Sequence, residues 1–326
     1  MLTVSCRLWF DLMPVRPTLG PVVCVSIQVP NLHEASRLYQ RWFGYQEVCR
    51  GRFRHHDMRR WGLNKLANRS WRYLAPHGHP GPGGIRLISG GAKSAKAKPL
   101  TSIGWAAAEL SVIDVDAIAS RLTSSPFLII GAPRALGSNP AIKAMQVAGP
   151  HGEVFYLTDV RAYDGKLNLV KARHEFDKTF IVVLASKTFD ETRNYYESRF
   201  QVKRISDHQV PIPVLNKQFD MMPETGWRIG SLQLSGSSLI EIDQYPEMAI
   251  EKSREIGGVP AGVSIVTFAS ELFPLHLVNR AQLCELISGR GALTQGHAGE
   301  FLEFVMPPAQ RYRGPELMAD GQVRHG

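Results

Sequence analysis

Two stretches of this 326-residue chain resemble each other, and that repeat narrows the possible folds more than any other feature. IQVPNLHEASRLYQRWFGY, Ile27 to Tyr45, aligns without gaps on LASKTFDETRNYYESRFQV, Leu184 to Val202, so that Glu34 meets Glu191, Tyr39 meets Tyr196 and Phe43 meets Phe200. Asn31 with Glu34, and Thr188 with Glu191, have the spacing of a capping box, which satisfies free N–H groups at a helix start. Ala35, Leu38, Tyr39 and Trp42 then fall at i, i+3, i+4 and i+7 and form one apolar stripe; Thr192, Tyr195, Tyr196 and Arg199 occupy the matching places. Each stretch reads as strand, turn and amphipathic helix.

The echo continues downstream. GLNKLANRSWRYLAP (Gly62 to Pro76) is matched by VLNKQFDMMPETGWRIGSLQL (Val214 to Leu234), and each half then reaches a short apolar strand, GIRLIS at Gly84 to Ser89 and LIEIDQY at Leu239 to Tyr245. A β-α-β-β-β unit results. A second unit runs from AAAELSVIDVDAIASRL (Ala106 to Leu122) to GPHGEVFYLTDV (Gly149 to Val160). A fourth runs from GVSIVTFAS to GEFLEFVMPP and has little room for two middle strands. The expectation is therefore an α+β chain of four βαβββ-like units, the last truncated, paired into two modules with cupped mixed sheets. Their bounds are 21–160 and 177–308, with a linker at 161–176. Residues 1–20 and 309–326 are expected to be a disordered leader and tail, with Met13 as an alternative start to Met1.

Arg7, Asp11 and Pro14 interrupt the apolar leader, so it reads as neither signal peptide nor membrane span. Cys6, Cys24, Cys49 and Cys284 have no CxxC spacing, which fits a reducing compartment and makes cytoplasmic the expectation. The formal charge of +9 is spread along the chain without a nucleic-acid-binding pattern, and suits a basic surface or an anionic small substrate. A small molecule is the expected partner; nucleic acid and membrane are not, and a homodimer is left open.

The run V-P-N-L-x-x-A-x-x-x-Y-x-x-x-F-G-Y, followed by GPHGEVFYL, resembles the vicinal-oxygen-chelate superfamily of glyoxalases, bleomycin-resistance proteins and extradiol dioxygenases, over Val22 to about Pro307. Metal-dependent members place ligands in the first and last strands of paired units. Carried over, those places hold Cys24, Arg86, Ala107 and Tyr156 in the first module, and Ile181, Glu241, Ser264 and Glu303 in the second. Arg86 has no lone pair to give. An iron-dependent dioxygenase would want histidines where Ile181 and Ser264 stand, so only Glu303 of that triad is present.

Catalysis is accordingly expected from Glu241 and Glu303, dividing acid and base roles across one cupped sheet in a lyase or isomerase of a small carbonyl or aromatic compound. The alternatives are an extradiol-type dioxygenase and a non-catalytic binding protein. The cofactor is open: none, or a divalent metal held by Glu241 and Glu303. Strand alternation puts Glu241 and Asp243 on one face, facing either solvent or a cavity. Arg86 and Glu109 could clamp a carboxylate ligand or form a buried ion pair. His208 and His297 are placed at a cavity mouth, whereas RHHD (His55, His56, Asp57) and HGH (His77, His79) read as solvated loops.

Overall fold

The structure is a computed structural model describing residues 19–78, 81–91, 97–136, 139–162, 169–200, 202–270, 280–288 and 291–305. Expectations for residues 1–18, His79, 163–168 and everything beyond 305 lie outside the described residues.

Unit one comprises β1 (Leu19–Val29), α1 (Leu32–Phe43), β2 (Tyr45–Arg52), α2 (His55–Arg60), β3 (Ser70–Pro76) and β4 (Gly84–Ser89). Unit two comprises β5 (Gly104–Val112), α3 (Val115–Leu122), β6 (Leu128–Leu136), β7 (Asn139–Ala148) and β8 (Val154–Val160). In unit three these are β9 (Phe176–Ser186), α4 (Phe189–Phe200), β10 (Lys203–Pro211), α5 (Pro213–Gln218), β11 (Gly226–Gln233) and β12 (Leu239–Gln244). Unit four has β13 (Val263–Ser270), α6 (Arg280–Leu286), β14 (Ala292–Gln295) and β15 (Phe301–Val305), so among the described residues it is one strand short, as its sequence implies.

Helix α1 starts where its cap predicts: the Asn31 side chain accepts from the N–H groups of His33 and Glu34 at 2.9 and 3.3 Å. It stops at Gly44, whose φ of 66° is left-handed. The buried stripe is Ala35, Ser36, Tyr39 and Phe43, with Leu38 and Trp42 only partly covered.

In every unit the first strand lies parallel to the last, and the others follow antiparallel outward. The sheets, however, join units differently from the expected modules. One sheet has seven strands in the order β14-β15-β13-β1-β4-β3-β2, combining units one and four. The other has eight, β10-β11-β12-β9-β5-β8-β7-β6, combining units two and three. The seams are the antiparallel pairs β1 with β13 and β5 with β9. The repeat pattern identifies units but not their partners, because all four first strands are apolar on both faces and pair equally well in the abstract.

Helices α1, α3 and α4 and one face of each sheet build a shared core including Tyr39, Phe43, Trp105, Phe155, Phe176 and Phe268. A repeated contact ties the two sheets together, unit one to unit two and unit three to unit four. Tyr39 of α1 donates to Glu153 Oε1 at 2.7 Å, and Tyr196 of α4 donates to Glu300 Oε1 at 2.5 Å. Both glutamates end a Gly-x-x-Gly-Glu turn, and the carboxylate lies over its first glycine: a Cβ on Gly149 or Gly296 would fall 2.1 or 1.8 Å from the glutamate oxygen. Among the described residues no helix is long and apolar enough to cross a membrane.

Candidate functional site

The outward face of each curled sheet forms a cup, and the two cups differ in chemistry. In the eight-stranded sheet, Glu241 of β12 lies opposite Val183 of β9, which lies opposite Ala107 of β5. One row along, Ile181, Glu109, Tyr156 and Gln146 sit side by side. Alternation carries Asp243 and Tyr245 onto the same face as Glu241. Trp227 of β11 and Phe219, with Val214 and Leu215 of α5, close this cup with apolar surface. Asn216 fixes that cover by donating from Nδ2 to the carbonyls of Pro223 and Thr225 and by accepting from Trp227 Nε1.

Three carboxyl groups thus converge with no described cation bonded to them. Thr158 donates to Glu109 Oε1 at 2.5 Å. Both oxygens of Asp243 and the hydroxyls of Tyr156 and Tyr245 are buried without a hydrogen-bond partner. These atoms leave this face with hydrogen-bonding capacity that no protein group takes up. Burial, reinforced by the charge of Glu241 and opposed by Thr158, pushes Glu109 up to about 8. Burial alone raises Glu241 to about 7, although its side chain keeps partial contact with solvent. Asp243, fully buried, is held well above the usual carboxylate range by desolvation and by its two acidic neighbours. The same burial and the same acids drive Tyr156 and Tyr245 far up, so both phenols stay protonated.

The cup of the seven-stranded sheet is filled instead. Phe53, Met58, Leu63, Trp71, Leu283 and Ile287 belong to the apolar cluster that occupies it. Arg86 lies wholly buried within it, donating to Glu303 Oε2 at 2.7 Å, to Ser26 Oγ at 2.9 Å and to the carbonyl of Ile287 at 2.8 Å. Burial works against the Arg86 charge, but Glu303 beside it outweighs that, and the guanidinium stays ionised. Thr267 also donates to Glu303 Oε2, at 2.6 Å, and accepts from the Cys24 thiol at 3.3 Å.

This placement corrects two expectations. Glu241 and Glu303 lie in different sheets and cannot share a substrate in one cup. Arg86 pairs with Glu303, not with Glu109, which faces the other cup. Of the expected residues, Glu109, Glu241 and Asp243 are brought together. His208 is exposed on β10, an edge strand. His297 sits at the rim of a cavity of about 430 Å³, its Nε2 lying 3.1 Å from Thr188 Oγ1 and 3.2 Å from Glu191. Tyr245 is not among the residues expected from the sequence, and Tyr156 is there only as a carried-over ligand place. The signal for Tyr245 was present, since it continues the alternation of Glu241 and Asp243.

The regrouped ligand places hold Cys24, Arg86, Ser264 and Glu303 in one cup and Ala107, Tyr156, Ile181 and Glu241 in the other. A guanidinium already bonded to the carboxylate excludes a divalent ion from the first. The second offers one carboxylate at the superfamily's ligand places, and no group of three His, Cys, Asp or Glu side chains among the described residues is arranged to hold an ion. The donor set does not fit the metal that metal-dependent members use.

No protein-family model and no curated protein matches the sequence. Solved structures do match. Glyoxalase I from Zea mays aligns at 12% identity over 88% of this chain and 92% of its own, with a TM-score of 0.52. A candidate dioxygenase from Bacillus subtilis aligns at 14% identity over 90% and 87%, with a TM-score of 0.56. At such identities the likeness concerns architecture alone: this chain shares the two-sheet, four-unit fold of these structures, the fold expected from the resemblance to vicinal-oxygen-chelate proteins.

Proposed function

We propose that the cup of the eight-stranded sheet is the acid–base site of a lyase or isomerase of the vicinal-oxygen-chelate type, acting on a small carbonyl or aromatic compound. The observation that carries this reading is the convergence of Glu109, Glu241 and Asp243 on one buried face, with proton affinities raised toward and beyond neutrality. Such groups exchange protons at neutral pH with little cost, which ordinary surface carboxylates do not. Glu241 is the base: it keeps access to the cup's open side, and burial raises its proton affinity less far than that of Glu109. Glu109 retains its proton and donates it to a developing oxyanion, with Tyr156 and Tyr245 as further donors.

The aromatic cover of Trp227, Phe219 and Tyr245 suits a planar ligand. The acidic lining disfavours an anion, so the overall positive charge acts at the surface and the substrate of the cup is uncharged. The described cysteines are free thiols, in keeping with a cytoplasmic setting.

The test is solvent deuterium incorporation, followed by NMR, into a panel of small aryl ketones, aldehydes and 2-oxo compounds first screened for thermal stabilisation of the protein. Incorporation that falls about 10²- to 10⁴-fold in Glu241→Gln supports the proposal. Full incorporation by that variant removes Glu241 as the base. Ligand stabilisation with no exchange and no product in the unaltered protein identifies a binding protein instead.

A further inference from the structure

Three described cysteines occupy contrasting surroundings. Cys24 is fully buried, and desolvation pushes its thiol up to about 11. Cys49, on the outermost strand β2, and Cys284, on α6, are each partly exposed and line an open groove of about 780 Å³ together with Glu47, Arg50 and Arg280. The two thiols face the same groove, near enough that Cys284 helps raise the proton affinity of Cys49. The approach is fixed from the side by Arg280, whose Nε donates to the carbonyl of Val48, the residue before Cys49, at 2.8 Å.

We propose that Cys49 and Cys284 are a reversible disulfide site that fastens α6 to β2. The oxidant class is a small-molecule disulfide such as oxidised glutathione. The Cys284 thiolate attacks one sulfur, a mixed disulfide forms, and the first small thiolate leaves. Cys49 then loses its proton to solvent and attacks the Cys284 sulfur, expelling the second small thiolate. Two protein S–H bonds are replaced by one S–S bond, and the small disulfide is reduced to two thiols. Burial and the neighbouring Cys284 raise the proton affinity of the Cys49 thiol, with Arg280 opposing them, and the resolving step is assigned to Cys49 on that ground.

The bond would act on the filled cup. Helix α6 supplies Leu283, Leu286 and the following Ile287 to the apolar plug, and the carbonyl of Ile287 receives Arg86. A covalent tie between unit four's helix and unit one's edge strand would lock that plug in place.

The experiment uses the full chain with Cys6→Ser, so that only the three described thiols remain. It is equilibrated in oxidised and reduced glutathione and mapped by mass spectrometry of non-reduced peptides. The expected result is a Cys49–Cys284 linked peptide, loss of two titratable thiols, retention of Cys24 as a thiol, reversal by dithiothreitol and a raised Tm. In Cys49→Ser, a glutathione adduct on Cys284 persists unresolved. Stable glutathione adducts on the parent protein, disulfide-linked dimers in place of the internal bond, or no thiol loss would each overturn the proposal.

Discussion

The Arg86 guanidinium and the Glu303 carboxylate meet at 2.7 Å across two intervening strands of the seven-stranded sheet, with Arg86 fully and Glu303 almost fully withdrawn from water. Removing one partner strands the other charge in an apolar plug. Glu303→Ala is expected to cost about 3–5 kcal/mol in urea denaturation, and Arg86→Met with Glu303→Leu to recover most of it. Glu303→Gln is expected to leave deuterium incorporation near the parent rate, because this carboxylate faces the wrong cup.

Stability should fall as pH rises. Glu109 and Glu241 have folded values of about 8 and about 7 against an ordinary 4.5, and burial raises Glu153 and Glu300 to about 7 as well. Between the unfolded and folded values the native state holds protons that the unfolded chain has released, so each group favours folding at low pH and loses that contribution as pH climbs from about 4.5 to its raised value. Urea midpoints are expected to drop between pH 5.5 and 8.5, and Glu109→Gln to flatten the drop. A midpoint that rises over this window contradicts the buried acidic cluster.

The two Gly-x-x-Gly-Glu turns offer a matched pair of tests. Tyr39→Phe and Tyr196→Phe each remove the phenol that binds a buried glutamate and should each cost about 1–3 kcal/mol. Gly296→Ala forces the Glu300 carboxylate off its perch and should cost a similar amount. Thermal unfolding of the three variants decides the matter, and unchanged Tm values would mean that the turns do not hold the two sheets together.

Neither histidine expected at a cavity mouth faces the acidic cup. His208→Ala and His297→Ala should retain deuterium incorporation within a factor of two or so, and the exposed pair of His297 with Glu191 should be worth at most about 1 kcal/mol. A large activity loss in His297→Ala would shift attention to the cavity at its side.

The units were legible because hydrophobic period and capping residues are local properties. Asn31, Tyr39 and Phe43 announce a helix, and Tyr196 and Phe200 announce its copy, whatever happens elsewhere in the chain. Alternation in LIEIDQY also revealed that Glu241 and Asp243 share a face. Sheet partnership was not legible, because it depends on side chains that meet across long sequence distances, such as Cys24 with Thr267 and Arg86 with Glu303. Misjudging partnership misplaced the site: Glu303 was matched with Glu241 by analogy of position, when its actual neighbour was the arginine considered for another role. Glu109 was noticed for its own strand and gained its significance only when β5 lay beside β9.

The nested order of the sheets also sets a schedule for biosynthesis. Units two and three are adjacent in the chain, so the eight-stranded sheet has all its strands once residue 244 has left the ribosome. The seven-stranded sheet opens with β1 and cannot close until β13 to β15 arrive, at the other end of the message. Through most of synthesis the first unit therefore presents an uncovered apolar edge along β1, the situation in which a nascent chain most needs a chaperone or a temporary partner.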